Sequence, residues 1–280
     1  MTRAAAASAT RHWPLAELAR QLRGLWQSRR LLITLTRREV AARNAGTALG
    51  VVWAYAQPLL TLAAYFMVFD IVFAMRLGEA APTSRVGLFL VVGALPWMAF
   101  TDGLNRGMNS LVEAGGMLQK NALPPALFPV RAVLASAAVF GPLALALVLA
   151  YSFSHAWRWP VFTVVPLLLT QWLLCILLAW ALAICTAALR DTAQVVTFFL
   201  SLGIFFSPVL FPIEQFPAML RWVLWFNPMT AFVLGYQALL LKGALPPPFV
   251  WPVIFLWLLV AALVLDVLLK RSRDHLVDWL

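Results

Sequence analysis

Lysines are the first residues to test for phosphate chemistry, because a P-loop holds nucleotide phosphates with a Gly-Lys pair followed by Ser or Thr. This 280-residue chain has three of them, Lys120, Lys242 and Lys270. None of the three follows a glycine. The sequence therefore predicts no ATP hydrolysis by that route.

Histidines and cysteines, the usual ligands of zinc, are too scattered here to form a metal site. His12, His155 and His275 lie far apart, and the sequence has no HExxH motif and no paired Cys/His spacing. Cys175 and Cys185 share one apolar run, at a spacing that points them in different directions on a helix. We expect two buried free thiols, no metal and no catalytic residue.

The carboxylates are also single and scattered. Asp70, Asp102 and Asp266 fall near the ends of apolar runs, where a charge costs little, so a structural role is the favoured interpretation. A proton-coupled carrier would be expected to bury an acid in the middle of a span, and the sequence predicts none there. A membrane glycosyl or acyl transferase would need an acid, base or metal cluster at one interface, and this pattern disfavours it.

The composition indicates where these residues must work. Hydrophobic residues make up 63% of the chain and charged residues 11%, against about a quarter charged in soluble domains. The net charge is +10. The basic residues cluster at the N-terminus and beside the ends of apolar runs, which favours an anionic membrane surface over nucleic acid. We therefore predict an all-α membrane protein.

The N-terminal segment is predicted to lie on the membrane and not across it. Residues 1–12 are rich in Ala and predicted to be disordered. Residues 13–45 are predicted to form an interfacial amphipathic helix and elbow, because Leu18, Leu22 and Leu25 share one helical face. The alternative is an amphipathic helix that packs on a partner protein.

Residues 46–270 are predicted to hold six spanning helices of roughly 20 residues each. They fall within Thr47–Met75, Val86–Asn105, Arg131–Arg158, Arg158–Arg190, Thr192–Phe211 and Phe249–Leu269. Trp222–Leu241 is also long enough to span, but Asn227-Pro228 interrupts it, which predicts a re-entrant external segment between spans five and six. Six spans put most Lys and Arg, both termini and the tail 271–280 on the cytoplasmic side, and a seventh span would weaken that asymmetry.

The stretch from Arg43 to Trp53, followed by Pro58-Leu59, resembles the start of the first span in ABC-2 type transporter permeases. More narrowly, it is similar to the permeases that export polysaccharides such as O-antigen, capsule and teichoic acid. Asn44 stands where that family has an aromatic residue, and Thr47 where it has serine. Three later pieces agree with the family over about residues 38–269: Gly116–Pro124 with Pro129, Arg190-Asp191, and Ser207-Pro208-Val209 with Asn227-Pro228.

The resemblance implies a working arrangement. Such permeases form homodimers in the bacterial inner membrane that enclose a central channel, and each copy binds a separate ATPase subunit that holds ATP and Mg²⁺. The resemblance also implies that the chain has no cofactor of its own. Its expected partners are membrane lipids and a lipid-linked glycan, with O-antigen as the leading candidate, and nucleic acid is not expected to bind. An ABC-2 exporter of capsule, teichoic acid, lipid or drug, and a stand-alone proton-coupled flippase, are the alternatives.

Two sets of candidate residues lie on the predicted cytoplasmic side. On the resemblance, residues 106–121 form a coupling helix that docks on the ATPase, with an ordinary loop as the alternative; its candidates are Arg106, Asn109, Glu113, Met117 and Lys120. Arginine holds phosphate oxygens in a bidentate fork. The candidates for binding the phosphate headgroup of the substrate, against an ordinary positive-inside cluster, are Arg20, Arg23, Arg29, Arg30, Arg37 and Arg38.

Aromatic side chains are the candidates for the glycan path, because the apolar C–H faces of sugars can lie on aromatic rings. The predicted channel residues, for which lipid contact or packing is the alternative, are Tyr55, Tyr65, Phe69, Phe198, Phe199, Phe205 and Phe206. Residues 212–241 are predicted to form an external gate that excludes water and ions, or else an interfacial plug. The gate candidates are Pro208, Pro212, Trp222, Trp225, Phe226, Asn227 and Pro228.

Overall fold

A computed structural model describes residues 15–43, 45–78, 81–120, 123–154, 159–273, 275–276 and 279. Over these residues the chain is helical, and its β-structure amounts to one isolated bridge between Arg76 and Arg85. The predicted disordered segment 1–12 lies outside the described residues, as does most of the tail after residue 273.

Eleven α-helices are found in the described ranges. They are α1 (Ala16–Gln27), α2 (Arg29–Ala42), α3 (Val52–Phe66), α4 (Val86–Glu113), α5 (Gly115–Leu118), α6 (Leu127–Ser154), α7 (Val164–Ala188), α8 (Asp191–Gly203), α9 (Arg221–Leu224), α10 (Met229–Leu241) and α11 (Val250–Ser272). A π-helical turn, Met67–Val72, continues α3, and a 3-10 turn, Trp159–Thr163, leads into α7.

Five helices in the described ranges are long and apolar enough to cross a membrane, and a bent pair would make a sixth. The five are Val52–Val72, Val86–Glu113, Leu127–Tyr151, Trp159–Ala188 and Val250–Ser272. The bent pair joins Ala218–Leu224 to Met229–Leu241 at 103°. The prediction of an all-α membrane protein is therefore confirmed, with five to six spans.

The predicted fifth span is wrong in its extent. Thr192–Phe211 was expected to cross as one helix, but α8 has 13 residues and ends at Gly203. At 1.5 Å per residue such a helix covers about 20 Å, short of the ~30 Å hydrocarbon core. Pro208 gives a physical reason, because proline has no N–H to donate to the carbonyl four residues earlier, at Ile204, and its ring clashes with that carbonyl.

The second span is longer than predicted, which changes the predicted coupling helix. Helix α4 runs without a break from Val86 to Glu113. Arg106 and Asn109 therefore belong to the spanning helix and not to a separate element. After a turn at Ala114, α5 adds one helical turn. Residues 121–122 lie outside the described residues.

Helix α4 is the centre of the fold and packs closely on α7. A Cβ atom placed on Gly103 would come 2.6 Å from the Sγ of Cys175, and one placed on Gly107 would come 2.5 Å from the Cβ of Ala179. Gly103 and Gly107 form a GxxxG pair, the pattern that lets membrane helices approach closely. These two glycines thus fix the distance between α4 and α7.

The predicted amphipathic segment is two helices, and α1 is tied to the last span by a carboxylate. The backbone N–H groups of Glu17 and Leu18 each donate to Oδ1 of Asp266 at 3.0 Å. Lys270 Nζ lies 2.6 Å from the other carboxylate oxygen. The first N–H groups of a helix have no partner within that helix, so the buried Asp266 satisfies them. Asp266 has a structural role, although the position of α1 at a membrane surface stays a prediction.

Asp70 stabilises the start of α4 in a similar way. Its Oδ1 accepts a hydrogen bond from the backbone N–H of Gly87 at 3.0 Å, in the first turn of α4. Arg76 lies 3.9 Å from the same oxygen. The third acid in this predicted group, Asp102, has a different environment and is described with the site.

Candidate functional site on two sides of helix α4

One cavity of about 490 Å³ lies where α4 meets α8 and the bend before α10. We call it the aromatic cavity. Its lining includes Trp97, Phe100, Leu104, Phe199, Leu200, Gly203, Phe206, Phe226, Asn227 and Pro228. Gly203 is positioned here because a Cβ at that residue would come 2.7 Å from the Trp97 ring. The close approach lets the end of α8 rest on α4.

Asn227 holds the broken backbone around the aromatic cavity together. Its Nδ2 donates to the carbonyl oxygens of Gly203 at 2.9 Å and Phe206 at 3.2 Å. Its Oδ1 accepts from the N–H of Met229 at 3.0 Å, at the start of α10. Gln237 adds a bond from Nε2 to the carbonyl of Pro208 at 2.7 Å. Backbone that leaves the helical pattern at membrane depth needs such partners.

The structure brings together some of the predicted channel and gate residues. Phe199 and Phe206 from the channel set share the aromatic cavity with Phe226, Asn227 and Pro228 from the gate set. The other gate residues are not in the lining of this cavity and make different contacts. Trp222 packs edge-on against Phe226 at 5.7 Å, Trp225 against Phe249 at 5.6 Å, and Pro208 and Pro212 are buried.

The remaining predicted channel aromatics are not part of this cavity. Phe198 and Phe205 of the α8 region have 59% and 56% of their side chains exposed. Tyr55, Tyr65 and Phe69 lie on α3 and its π-helical turn, where the Tyr55 hydroxyl donates to the carbonyl of Ala138 at 3.2 Å. Within one copy of the chain, the two predicted aromatic groups therefore do not form one path.

A second cavity of about 490 Å³ lies between α3 and α4, and we call it the polar cavity. Its lining residues are Arg43, Ala54, Gln57, Pro58, Thr61, Met98, Thr101, Asp102, Asn105, Arg106 and Phe140. The sequence predicted no site here, because Asp102 is an isolated acid along the chain and Arg43 has no predicted role beyond the family motif.

Asp102 is the centre of a charged cluster at this cavity. Its Oδ1 accepts from Nε of Arg106 at 2.9 Å, and its Oδ2 lies 3.3 Å from Nη2 of Arg43. The Ser136 hydroxyl donates to the same Oδ2, and Arg43 Nη2 donates to Ser136 Oγ at 2.9 Å. Burial lowers the pKa of the Arg43 guanidinium, and the Asp102 carboxylate opposes that shift.

A family model connects this geometry to known proteins. The model described as ABC-2 type transporter matches residues 30–241. This chain belongs to the ABC-2 type transporter family. The match includes α2 through α10, so both cavities lie within the family domain.

Relatives of this ABC-2 transporter are similar over most of their length. The O-antigen export system permease protein RfbA of Myxococcus xanthus is 30% identical over 234 residues, which cover 82% of this chain and 87% of the relative. A protein of the same name from Klebsiella pneumoniae is 22% identical over 226 residues, covering 77% and 82%. The predicted resemblance to polysaccharide export permeases is thereby confirmed.

In this ABC-2 transporter the predicted coupling residues divide into two groups. Arg106 lines the polar cavity, and the Asn109 amide donates to the carbonyl of Asn105 at 2.7 Å within α4. Glu113, Met117 and Lys120 are exposed at the end of α4 and around α5. The exposed group is the part that a partner protein can reach.

The arginines predicted to bind a substrate headgroup lie on α1 and α2. Arg20 pairs with Glu17 at 3.0 Å, and the Arg29 guanidinium lies over the Trp26 ring at 5.0 Å. The other members of the set are exposed, and they are Arg23, Arg30, Arg37 and Arg38. All six are thus on the helices that precede the first span.

Histidine, cysteine and acidic side chains are dispersed over the part of the chain that the structure describes. Among the described residues, no group of three or more His, Cys, Asp or Glu side chains is placed to hold a metal ion. Cys175 and Cys185 are both free, and Cys175 is buried while Cys185 is partly buried.

Proposed function

We propose that the chain is the membrane permease subunit of an ABC exporter, which moves a lipid-linked polysaccharide outward across the bacterial cytoplasmic membrane. The favoured candidate for this polysaccharide is O-antigen. The observation that carries this proposal is the similarity to two proteins named O-antigen export system permease over about four-fifths of each chain. The ABC-2 family itself is wider, so the cargo class depends on these relatives.

The proposed driving force is ATP hydrolysis by a separate subunit. No lysine of this chain follows a glycine, as a P-loop would require. ATP and Mg²⁺ then belong to the partner, and the permease supplies the path. We propose a homodimer with two copies of the ATPase and with both termini in the cytoplasm.

The exposed surface of α3 supports the homodimer. In the 18-residue apolar stretch of Val52–Val72, 11% of the stretch is buried inside one copy of the chain. In the corresponding stretch of α4 the buried share is 72%. Gln57 and Thr61 add polar groups to this otherwise apolar helix and line the polar cavity. A polar surface is costly against lipid, which favours a second protein copy or a water-filled path beside α3.

The proposed path ends at the aromatic cavity. Rings of Trp97, Phe206 and Phe226 provide flat apolar faces on which a sugar can slide. Asn227 anchors the bend that closes the cavity, so movement of this bend would open it. We propose that the segment 212–241 gates the external end of the path, and that its helices α9 and α10 enter from outside without crossing.

The proposed coupling element is smaller than the sequence indicated. We assign docking on the ATPase to Glu113, Met117 and Lys120, which are exposed. Helix α4 continues from Glu113 to the linings of both cavities without a break. A push at its end would therefore reach both cavities as a rigid-body movement.

A pull-down from host membranes tests the proposal. The tagged chain is expected to be recovered with a Walker-motif ATPase at a one-to-one ratio. Deletion of the gene for this chain should abolish surface polysaccharide. Glu113→Arg should reduce ATPase recovery, since it reverses the charge at the docking end of α4. Arg273→Gln, which changes an exposed charge at the end of α11, is the matched control.

The alternatives predict different results in the same experiments. A stand-alone flippase would be purified alone and would transport without ATP. An exporter of capsule, teichoic acid, lipid or drug would be recovered with an ATPase in the pull-down. Deletion of its gene would leave O-antigen on the cell surface intact. Recovery of an ATPase together with loss of O-antigen supports the proposed cargo.

A further inference from the structure

The polar cavity has a charge imbalance that points to a ligand, and we propose that it binds the diphosphate that joins the glycan to its lipid carrier. The identity of this ligand rests on the proposed function. The case for an anion depends on the side chains alone.

The first argument is the charge of the cluster. Arg43 and Arg106 are two positive groups that share one carboxylate, Asp102, and both of its oxygens already accept hydrogen bonds. Glu39, the other acid near Arg43, lies 3.6 Å from Arg131 and is paired with it. The cavity therefore carries one uncompensated positive charge. The Arg106 side chain is 40% exposed and lines the cavity, so this positive charge would attract an anion there.

The second argument is a buried donor without a partner. The Arg43 side chain has 4% of its surface exposed, and its Nε makes no hydrogen bond among the described residues. Buried donors of this kind are rare, because each costs free energy. Arg131 has a similar nitrogen, but it lies against the Phe128 ring and outside the cavity lining. Arg43 does line the cavity, so it is a charged side chain there whose hydrogen bonds the described part of the protein does not complete.

The third argument is size and access. A volume of about 490 Å³ exceeds that of a single water several-fold, a water occupying about 30 Å³ in the liquid. Gln57 and Asn105 add amide groups to the lining, and Gln57 is exposed at the surface of α3. The side-chain Oδ1 of Asn105 accepts from the Thr197 hydroxyl at 3.0 Å, which leaves the amide N–H groups of Asn105 as the donors that it can offer to phosphate oxygens.

The fourth argument is depth. At 1.5 Å per residue, Asp102 lies about 24 Å and Arg106 about 30 Å from the start of α4 at Val86. The hydrocarbon core of a bilayer is about 30 Å thick, so with Val86 at one edge of the core Asp102 would lie inside the membrane and Arg106 at the opposite edge. Lipid headgroups occupy that depth. The exposed arginines of α1 and α2 can attract such a headgroup, while the cavity can hold it.

The test measures binding without transport. Purified full-length chain in complex with its ATPase is titrated calorimetrically with farnesyl diphosphate and, separately, with inorganic pyrophosphate. Arg106→Gln should weaken binding about tenfold or more, because a hydrogen bond to a charged group is lost. Arg106→Lys should restore part of it. Arg273→Gln removes an equal charge outside the cavity and should bind like the unmodified protein.

Asp102→Asn gives the sharpest result, because it is expected to strengthen diphosphate binding, whereas Arg106→Gln is expected to weaken it. It removes the carboxylate, so the excess charge rises from one to two and both diphosphates should bind several-fold more tightly. An ion pair with a purely structural role would show no such gain. If Arg106→Gln does not fold, Arg106→Lys and Asp102→Asn carry the test.

Each outcome decides the inference. Tighter binding of farnesyl diphosphate than of pyrophosphate, or equal binding of both, supports a diphosphate site reached by the lipid carrier. The site is overturned if neither probe binds, if Arg106→Gln binds like Arg273→Gln, or if Asp102→Asn binds no tighter. Binding of pyrophosphate alone overturns the lipid assignment. Binding is measured without ATP and so does not depend on transport. If the diphosphates bind as expected but the protein exports no O-antigen, the site stands and the proposed function is rejected.

Discussion

The polar cavity and the aromatic cavity have similar volumes and share helix α4, but different forces hold them together. Around the polar cavity, Asp102 fixes two arginines by charge-assisted hydrogen bonds. Around the aromatic cavity, Asn227 fixes broken backbone with neutral amide bonds, and rings fill the remaining contacts. One cavity concentrates charge, and the other excludes it.

This difference has a functional meaning. Charge with hydrogen-bond donors selects for an anionic group, whereas aromatic faces tolerate any sugar that lies flat on them. On the proposed function, the polar cavity would recognise the lipid-linked end and the aromatic cavity would let the glycan pass. Since α4 lines both cavities, its position relative to α7 controls both at once.

The largest effect is expected where the two cavities depend on the same contact. Gly107→Val would place a Cβ 2.5 Å from the Cβ of Ala179, forcing α4 away from α7. We expect a loss of about 3 kcal/mol or more, seen as aggregation in size-exclusion chromatography. Gly141→Ala on α6 is the control, because nothing lies within 4 Å of its added Cβ and alanine favours helix. Equal behaviour of both variants would contradict the close packing of α4 on α7.

The next effect is specific to the polar cavity. Asp102→Ala leaves Arg43 buried without its carboxylate. Loss of one partner of a buried pair costs about 3–5 kcal/mol, and partial exposure of Asp102 places this case at about 3 kcal/mol. Thermal unfolding in detergent measures it. The double variant Asp102→Ala, Arg43→Met should recover part of the loss, since both charges are then removed.

A smaller effect is expected at the aromatic cavity. Asn227→Asp keeps the acceptor for the Met229 N–H but removes the two donors to the carbonyls of Gly203 and Phe206. Unpaired carbonyls cost about 1–3 kcal/mol, and the bend should loosen. Ion leak through the resting protein in liposomes should rise. Asn109→Asp is the control, because the Asn109 side-chain amide donates only to a backbone carbonyl within α4 in the described structure. This variant should leave the leak unchanged.

The smallest effect on stability is expected for the rings themselves. Phe206 is 46% exposed, so Phe206→Ala should change the free energy of unfolding by about 0.5 kcal/mol or less. Export of polysaccharide in complemented cells should nevertheless fall. Phe162→Ala, also exposed but outside the cavity, serves as the control. Normal export with both variants would remove the distinction between the two cavities.

Local features account for the parts of this protein that its sequence determines. Uncharged stretches long enough to cross a bilayer fixed the all-α membrane class, because hydrophobic length acts residue by residue. Asn227-Pro228 placed the break before α10 correctly, since proline lacks a backbone donor wherever it occurs. The family motif from Arg43 to Trp53 is likewise local, and it led to the right family.

Other features were decided only by tertiary structure. Arg43 and Ser136 meet across 93 positions, and no local pattern marks either as a partner of Asp102. The extent of α4 was misjudged for a related reason. Polar residues such as Arg106 can continue a helix when a cavity and a carboxylate receive them. Hydropathy measures what each residue prefers, whereas these outcomes depend on which neighbour the fold supplies.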